Sequence, residues 1–137
     1  MTAPFRLTRP VPSEAAEQTA LLRWTETAGR QYPALRWLLA IPNGLAASSK
    51  GSARRMKEQG MKAGVPDLFL PAPVPPHAGL WIEMKIRQGG RVSDAQRNWH
   101  AYLREAGYRV AVCRGWDEAR LALLAYLDLE GKTDVPF

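Results

Sequence analysis

The stretch from Gly64 to Lys85 limits most sharply what this chain can become. It holds two apolar runs, Val65-Pro66-Asp67-Leu68-Phe69-Leu70 and Leu80-Trp81-Ile82-Glu83-Met84-Lys85, separated by a segment from Pro71 to Gly79 that carries four prolines. Runs this short and this apolar read as buried strands. Proline cannot donate to a sheet ladder, so the segment between them reads as a surface connection. A strand that reads as buried is a poor place for a charge, because burying one is costly unless it is paired or binds a metal. Yet Asp67 opens the first run, and Glu83 and Lys85 interrupt the second. Side chains alternate along a strand, which puts Glu83 and Lys85 on one face and Ile82, Met84 and Ile86 on the other. With the two runs paired as a hairpin, Asp67 meets Glu83 across the sheet and an ammonium group lies beside them.

The rest of the chain supplies layers for that hairpin. Ser13 suits an N-cap, and a helix is expected from Glu14 to about Ala28, stopped near Gly29. Leu21, Leu22 and Thr25 fall on one face of it. Glu14 and Gln18 share that face four residues apart, and Glu17 flanks it above Leu21 and Trp24. Acids in a first turn also simply suit the helix dipole. Leu35 to Ile41 reads as a strand ended by the turn chemistry of Pro42-Asn43-Gly44. A basic helix is expected from about Ser52 to Gln59, with Gly60 at its end. Lys50, Arg54, Arg55, Lys57 and Lys62 in and around it make either a solvated face or a phosphate-contacting one.

Beyond the hairpin, Ser93 begins a helix that ends near Gly107, with Trp99, Tyr102, Leu103 and Ala106 as its apolar face. Ser93 and Gln96 have capping-box spacing, which accounts for Gln96 without any chemistry. Tyr108 to Cys113 reads as a strand. Trp116 to Glu130 reads as an amphipathic helix with Leu121, Leu124, Ala125 and Leu127 on its apolar face. The order helix, strand, helix, strand, strand, helix, strand, helix predicts an α/β sandwich with a mixed central sheet flanked by helices. The strand–helix–strand unit from Leu80 to Cys113 is expected to be a parallel crossover. The 137 residues suit a single domain, expected over 13–130, between an extended arm at 1–12 and a loose tail at 131–137.

Composition narrows the function classes. No apolar run approaches the roughly 20 residues needed to span a bilayer, and the first twelve residues lack the apolar core of a secretory signal, so a cytoplasmic protein without a membrane partner is expected. The single cysteine, Cys113, excludes an intrachain disulfide and cysteine-rich zinc motifs, and it reads as a small buried hydrophobe. The formal net charge of +6 and a pI near 9.9 suit either plain solubility or a polyanionic partner such as nucleic acid. Two converging carboxylates in a basic chain favour the second. Asp67 and Glu83 supply the hard oxygen ligands that Mg²⁺ prefers, and the Met84 backbone carbonyl can add a third. A metal held there lowers the pKa of a bound water and stabilises charge on a phosphodiester, and Lys85 orients that water or stabilises the transition state. Glu14 reaching in from the first helix can complete the shell, while Gln18 and Gln96 can bond to the water or to a neighbouring carboxylate.

Pro66-Asp67 followed by Glu83-Met84-Lys85 resembles the PD-(D/E)xK nuclease motif. The wider pattern is similar to one branch of it, the VRR-NUC (virus-type replication-repair nuclease) family. The matching pieces are Glu14 with Gln18, Pro42-Asn43-Gly44, Gly64-Val65-Pro66-Asp67, Ile82-Glu83-Met84-Lys85, Ser93 with Gln96, and Gly107-Tyr108-Arg109-Val110. The resemblance spans Ser13 to about Leu127. It implies a three-layer, restriction-endonuclease-like core and a Mg²⁺- or Mn²⁺-dependent DNA nuclease. Asp67, Glu83 and Lys85 take the core roles in it, with Gln96 beside them and Glu14 as the helix-borne acid. Glu17 stands one turn along as the alternative to Glu14, and Gln18 and Asn43 are supporting residues. Lys50, Arg54, Arg55, Lys57, Lys62 and Arg87 are the expected DNA contacts. Stand-alone members of this size resemble phage or bacterial proteins, typically homodimers acting on branched DNA in repair, including Holliday (four-way) junctions. A symmetric junction needs two cuts, and a two-fold dimer supplies two equivalent sites. A monomeric nicking or end-processing nuclease and a DNA-binding module that no longer cuts remain the alternatives.

Overall fold

The structure, a computed structural model, describes residues 10–42 and 49–127. The tail at 131–137, most of the arm, and Asn43 with Gly44 of the expected turn lie outside the described residues. The elements run α1 (Glu14–Ala28), a 3₁₀ turn (Pro33–Trp37), β1 (Leu39–Ala40), α2 (Lys50–Glu58), β2 (Leu68–Leu70), β3 (Leu80–Lys85), α3 (Asp94–Glu105), β4 (Arg109–Arg114) and α4 (Trp116–Leu127).

The four strands form one sheet in the order β1-β2-β3-β4. β1 and β2 pair antiparallel, as do β2 and β3, with Leu68 opposite Ile82 and Leu70 opposite Leu80. β3 and β4 pair parallel through the crossover helix α3, with Glu83 opposite Val112 and Lys85 opposite Arg114. The sheet is therefore mixed. Leu68, Leu70, Leu80, Ile82, Met84, Ala111 and Cys113 pack against Leu21 of α1 and Ala119, Ala122, Leu123 and Tyr126 of α4 in one buried cluster. α3 lines the other face through Leu103 and His100. Three layers result, α1 with α4, the sheet, and α3, as expected for a restriction-endonuclease-like core.

Three local expectations change. The apolar run at 35–41 is only briefly a strand. Pro33 starts a 3₁₀ turn that buries Leu35, and just Leu39 and Ala40 join the sheet at its edge. On α3 the buried positions are His100 and Leu103, whereas Tyr102 is exposed. On α4 the buried stripe is Ala119, Ala122, Leu123 and Tyr126, and Leu121 is exposed. The face of α4 turned to the sheet and α1 carries large and small residues alike, and Leu121 lies on the opposite side of the helix, so its position around the helix rather than its size leaves it exposed.

Gly64 explains the first residue of the Gly64-Val65-Pro66-Asp67 match. Its φ is +88°, and a Cβ there would lie 2.6 Å from the backbone carbon of Ala95 in the first turn of α3. Only glycine both adopts this conformation freely and lets the chain approach that turn so closely. The contact sets where β2 begins relative to α3, and hence where Asp67 stands.

Candidate active site

Asp67 precedes β2 by one residue, and the pairing of Leu68 with Ile82 brings it level with Glu83. Its backbone carbonyl accepts the Ile41 N–H at 2.8 Å, tying it to the neighbouring strand. Its side chain accepts the Met84 N–H at Oδ2, 2.7 Å away, and lies in hydrogen-bond contact with the Glu83 carboxyl. Burial, above all, and then the hydrogen bond and charge of Glu83 push the Asp67 carboxyl up to about 7, against the opposing pull of the Met84 N–H and Lys85. Burial also raises Glu83, and the Glu14 charge adds to that rise, while Asp67 and Lys85 oppose it. Two carboxyl groups this close cannot both ionise without cost, so in the absence of a cation they share a proton, held chiefly on Asp67.

Both faces of β3 are covered. Ile82 and Met84 enter the apolar cluster, and Glu83 and Lys85 are buried beneath α3. Each of these two charged side chains is met by a polar residue of that helix. Lys85 Nζ donates to Gln96 Oε1 at 2.9 Å. The same oxygen accepts the Ser93 N–H at 2.8 Å, and Ser93 Oγ accepts the Gln96 N–H at 3.1 Å, completing a capping box. Gln96 thus both caps the helix and holds the ammonium, and its partner is Lys85 rather than a carboxylate. His100 Nε2 lies 3.4 Å from Glu83 Oε1, with both side chains buried. Burial, then the nearby Arg104 and Lys85 charges, hold this imidazole below its usual pKa and therefore neutral near pH 7. His100 is the residue that sequence reasoning missed. Its one signal was its position four residues after Gln96, on the same helical face.

The two acids of α1 behave differently. Glu17 is buried and fully engaged. Oε1 accepts from Arg87 Nε at 2.7 Å, and Oε2 accepts from Arg87 Nη2 at 3.2 Å and from the Trp116 N–H at 2.7 Å. Arg87 Nη2 also lies 2.9 Å from Asp117 Oδ1. Glu17 therefore joins α1 to the end of β3 and the start of α4, and the guanidinium of Arg87, an expected DNA contact, lies between two carboxylates of its own chain. Glu14 is exposed, and its charge acts on Glu83. Gln18 is half-buried one turn further along α1.

Helix α2 is capped by Ser49 and buries none of its residues. Lys50, Arg54, Arg55 and Lys57 are exposed on it, Arg54 pairing with Glu58 at 3.2 Å, and Lys62 is exposed just beyond. Cys113 is buried and its thiol is pushed up to about 12, chiefly by burial, so it has no nucleophilic role.

Among the described residues no group of three or more His, Cys, Asp or Glu side chains forms a closed metal shell. The paired Asp67 and Glu83 carboxylates nonetheless fit a hard divalent cation, since Mg²⁺ is commonly held by one or two carboxylates and keeps several waters. Two carboxyls in contact, each raised by burial, make a place where positive charge is favoured.

A model of the VRR-NUC domain family matches residues 12–117. A solved structure titled "VRR_NUC domain protein" superposes with a TM-score of 0.73 at 25% sequence identity, covering 93% of this chain and 100% of the other. No curated protein matches the chain. The family match covers most of the sequence and the whole of the Asp67–Glu83–Lys85 constellation, so the chain belongs to the VRR-NUC family of PD-(D/E)xK-type nucleases.

Proposed function

We propose that the protein is a divalent-metal-dependent, structure-selective DNA endonuclease that resolves Holliday junctions as a homodimer. The observation that carries the nuclease reading is the contact between the Asp67 and Glu83 carboxyls, with Lys85 on the same strand face as Glu83 and held by Gln96. Asp67 and Glu83 would hold Mg²⁺ or Mn²⁺, with the Met84 carbonyl and Glu14 extending the shell. When bound, the ion neutralises phosphate charge and lowers the pKa of a water. Lys85, fixed by Gln96, places a positive charge beside the scissile phosphate, where negative charge grows in the transition state. Glu14 is the helix-borne acid in this reading because both Glu17 oxygens are already taken. The exposed cations of α2 with Lys62 offer contacts to the phosphate backbone. The small size of the domain favours a dimer, because two equivalent sites match the two cuts a symmetric junction needs.

The test is cleavage of labelled duplex, flap, single-stranded and four-way DNA in Mg²⁺ or Mn²⁺, with the mass of the protein in solution measured alongside. Four-way junctions cut symmetrically by a dimer, and no cutting after Asp67→Ala or Glu83→Ala, are expected. Cutting that survives those substitutions overturns the site. Nicking by a monomer replaces resolution with end processing, and junction binding without turnover in any metal leaves a binding module.

A further inference from the structure

We propose that His100 is a positioning residue for this site, holding the Glu83 carboxylate in the orientation from which it binds a divalent cation. The inference rests on the metal-dependent reading above and extends it to a residue outside the Asp-Glu-Lys motif. Position 100 lies on the stripe of α3 that packs against the sheet, where Leu103 supplies an apolar contact. An apolar side chain would satisfy packing at 100 as well. A buried imidazole instead carries a desolvation cost that packing alone does not explain. Its Nε2 faces Glu83 Oε1 at 3.4 Å. A carboxylate oxygen only accepts, so this contact assigns the proton to Nε2 in the neutral ring. The distance is at the long end for a hydrogen bond, as contacts in ligand-free sites often are.

Among the described residues, the hydrogen-bond contacts of the Glu83 carboxyl are with Asp67 and His100. Lys85, although on the same strand face, directs its Nζ to Gln96. One helical face therefore grips both charged residues of the strand separately, with Gln96 on Lys85 and His100, four residues on, over Glu83. The capping box at Ser93 fixes the register of that face. Fixing one carboxylate oxygen from outside limits rotation of the group and keeps the carboxyl turned toward Asp67, with which it would share a cation, the usual part of an outer-shell partner.

The test measures Mn²⁺ affinity of the DNA-free protein by calorimetry, together with its unfolding midpoint, for wild type, His100→Leu and His100→Gln. The Gln amide nitrogen reaches the position of Nε2, and leucine keeps the volume without a donor. His100→Leu is expected to weaken Mn²⁺ binding about 10–100-fold, as loss of an outer-shell partner does, and His100→Gln to stay within about threefold of wild type. In cleavage, the leucine variant is expected to lose kcat at saturating DNA with KM for DNA unchanged. If His100→Leu folds poorly, His100→Asn, whose amide stops at the Nδ1 position, takes its place with the same expectation. Wild-type affinity in a folded leucine or asparagine variant overturns the proposal. So does a folded glutamine variant as weak as the leucine one, because that result makes the imidazole itself the required group. Wild-type protein that binds Mn²⁺ but cuts no DNA removes the nuclease reading and leaves the His100 comparison standing. Wild-type protein that binds no Mn²⁺ overturns both.

Discussion

Replacing Asp67 with asparagine should make the metal-free protein more stable at alkaline pH while abolishing its activity. The Asp67 carboxyl is pushed from 3.8 up to about 7 by burial and by Glu83. The folded state then keeps this proton to near neutrality, whereas the unfolded chain releases it near the ordinary value. Between those two values the folded state binds more protons, so stability falls as pH rises. The full interval is worth at most about 4 kcal/mol at 1.36 kcal/mol per tenfold change in proton affinity. About 2.5 kcal/mol of that falls between about pH 5 and about pH 8, and partial exposure of Asp67 lowers the expected change to about 1–2 kcal/mol. Asparagine keeps an oxygen to accept the Met84 N–H and a nitrogen to donate to Glu83, without the charge. Urea unfolding in a chelator, at both pH values, measures the effect. The wild type should lose about 1–2 kcal/mol more than Asp67→Asn between them, and the variant should be the more stable protein at the higher pH. His100, held below its usual value, contributes a slope of opposite sign in both proteins, somewhat larger in the variant because the Asp67 charge no longer opposes that shift. Adding Mg²⁺ should restore the wild type and leave the variant unmoved. Equal pH slopes in the two proteins would show that Asp67 is not charge-frustrated in the folded state, and the shared-proton account would be wrong.

The two acids of α1 should separate cleanly. Glu17→Ala strips Arg87 of its buried partner and the Trp116 N–H of its acceptor, and should cost about 3–5 kcal/mol in chemical unfolding, whereas exposed Glu14→Ala should cost under about 0.5 kcal/mol and still impair cleavage. A Glu14→Ala enzyme with full kcat removes Glu14 from the site. Gly64→Ala forces a side chain into a left-handed backbone position and onto Ala95, and should destabilise the protein by about 1–3 kcal/mol, read as a lower unfolding midpoint; an unchanged midpoint would mean that α3 shifts at no cost. Neutralising Arg54 and Arg55 together should weaken DNA binding and reduce the slope of log K against log salt by about 2, measured by fluorescence anisotropy; an unchanged slope leaves them as plain surface.

Much of the architecture was legible because local signals agreed with one another. The capping box at Ser93 and Gln96, the cap at Ser13 and the hairpin around the proline-rich loop are all present. The strand expected at 35–41 failed because a run of apolar residues does not distinguish strand from a buried turn, and Pro33 favours the start of a 3₁₀ segment. The apolar faces of α3 and α4 were placed only in part: Leu103 is buried and Leu127 packs on the core, but Tyr102 and Leu121 are exposed. Apolar residues spread around most of a helix do not say which stripe is turned inward, and packing against the sheet buries His100 on α3 and Ala119, Ala122, Leu123 and Tyr126 on α4. His100 escaped notice because a single histidine in a helix has no pattern of its own.

By itself, the sequence determined the carboxylate pair. Strand alternation places Glu83 and Lys85 together, and charges in runs so apolar demand partners, whatever the rest of the chain does. Only the tertiary structure decided who those partners are. It set Gln96 on Lys85 and His100 over Glu83, and it turned Glu17 away to hold Arg87 and the first turn of α4. The physical reason is range. Alternation and capping act over a few residues and are written locally, whereas the contact from Glu17 to Trp116 joins side chain and backbone 99 residues apart and exists only once the layers have packed.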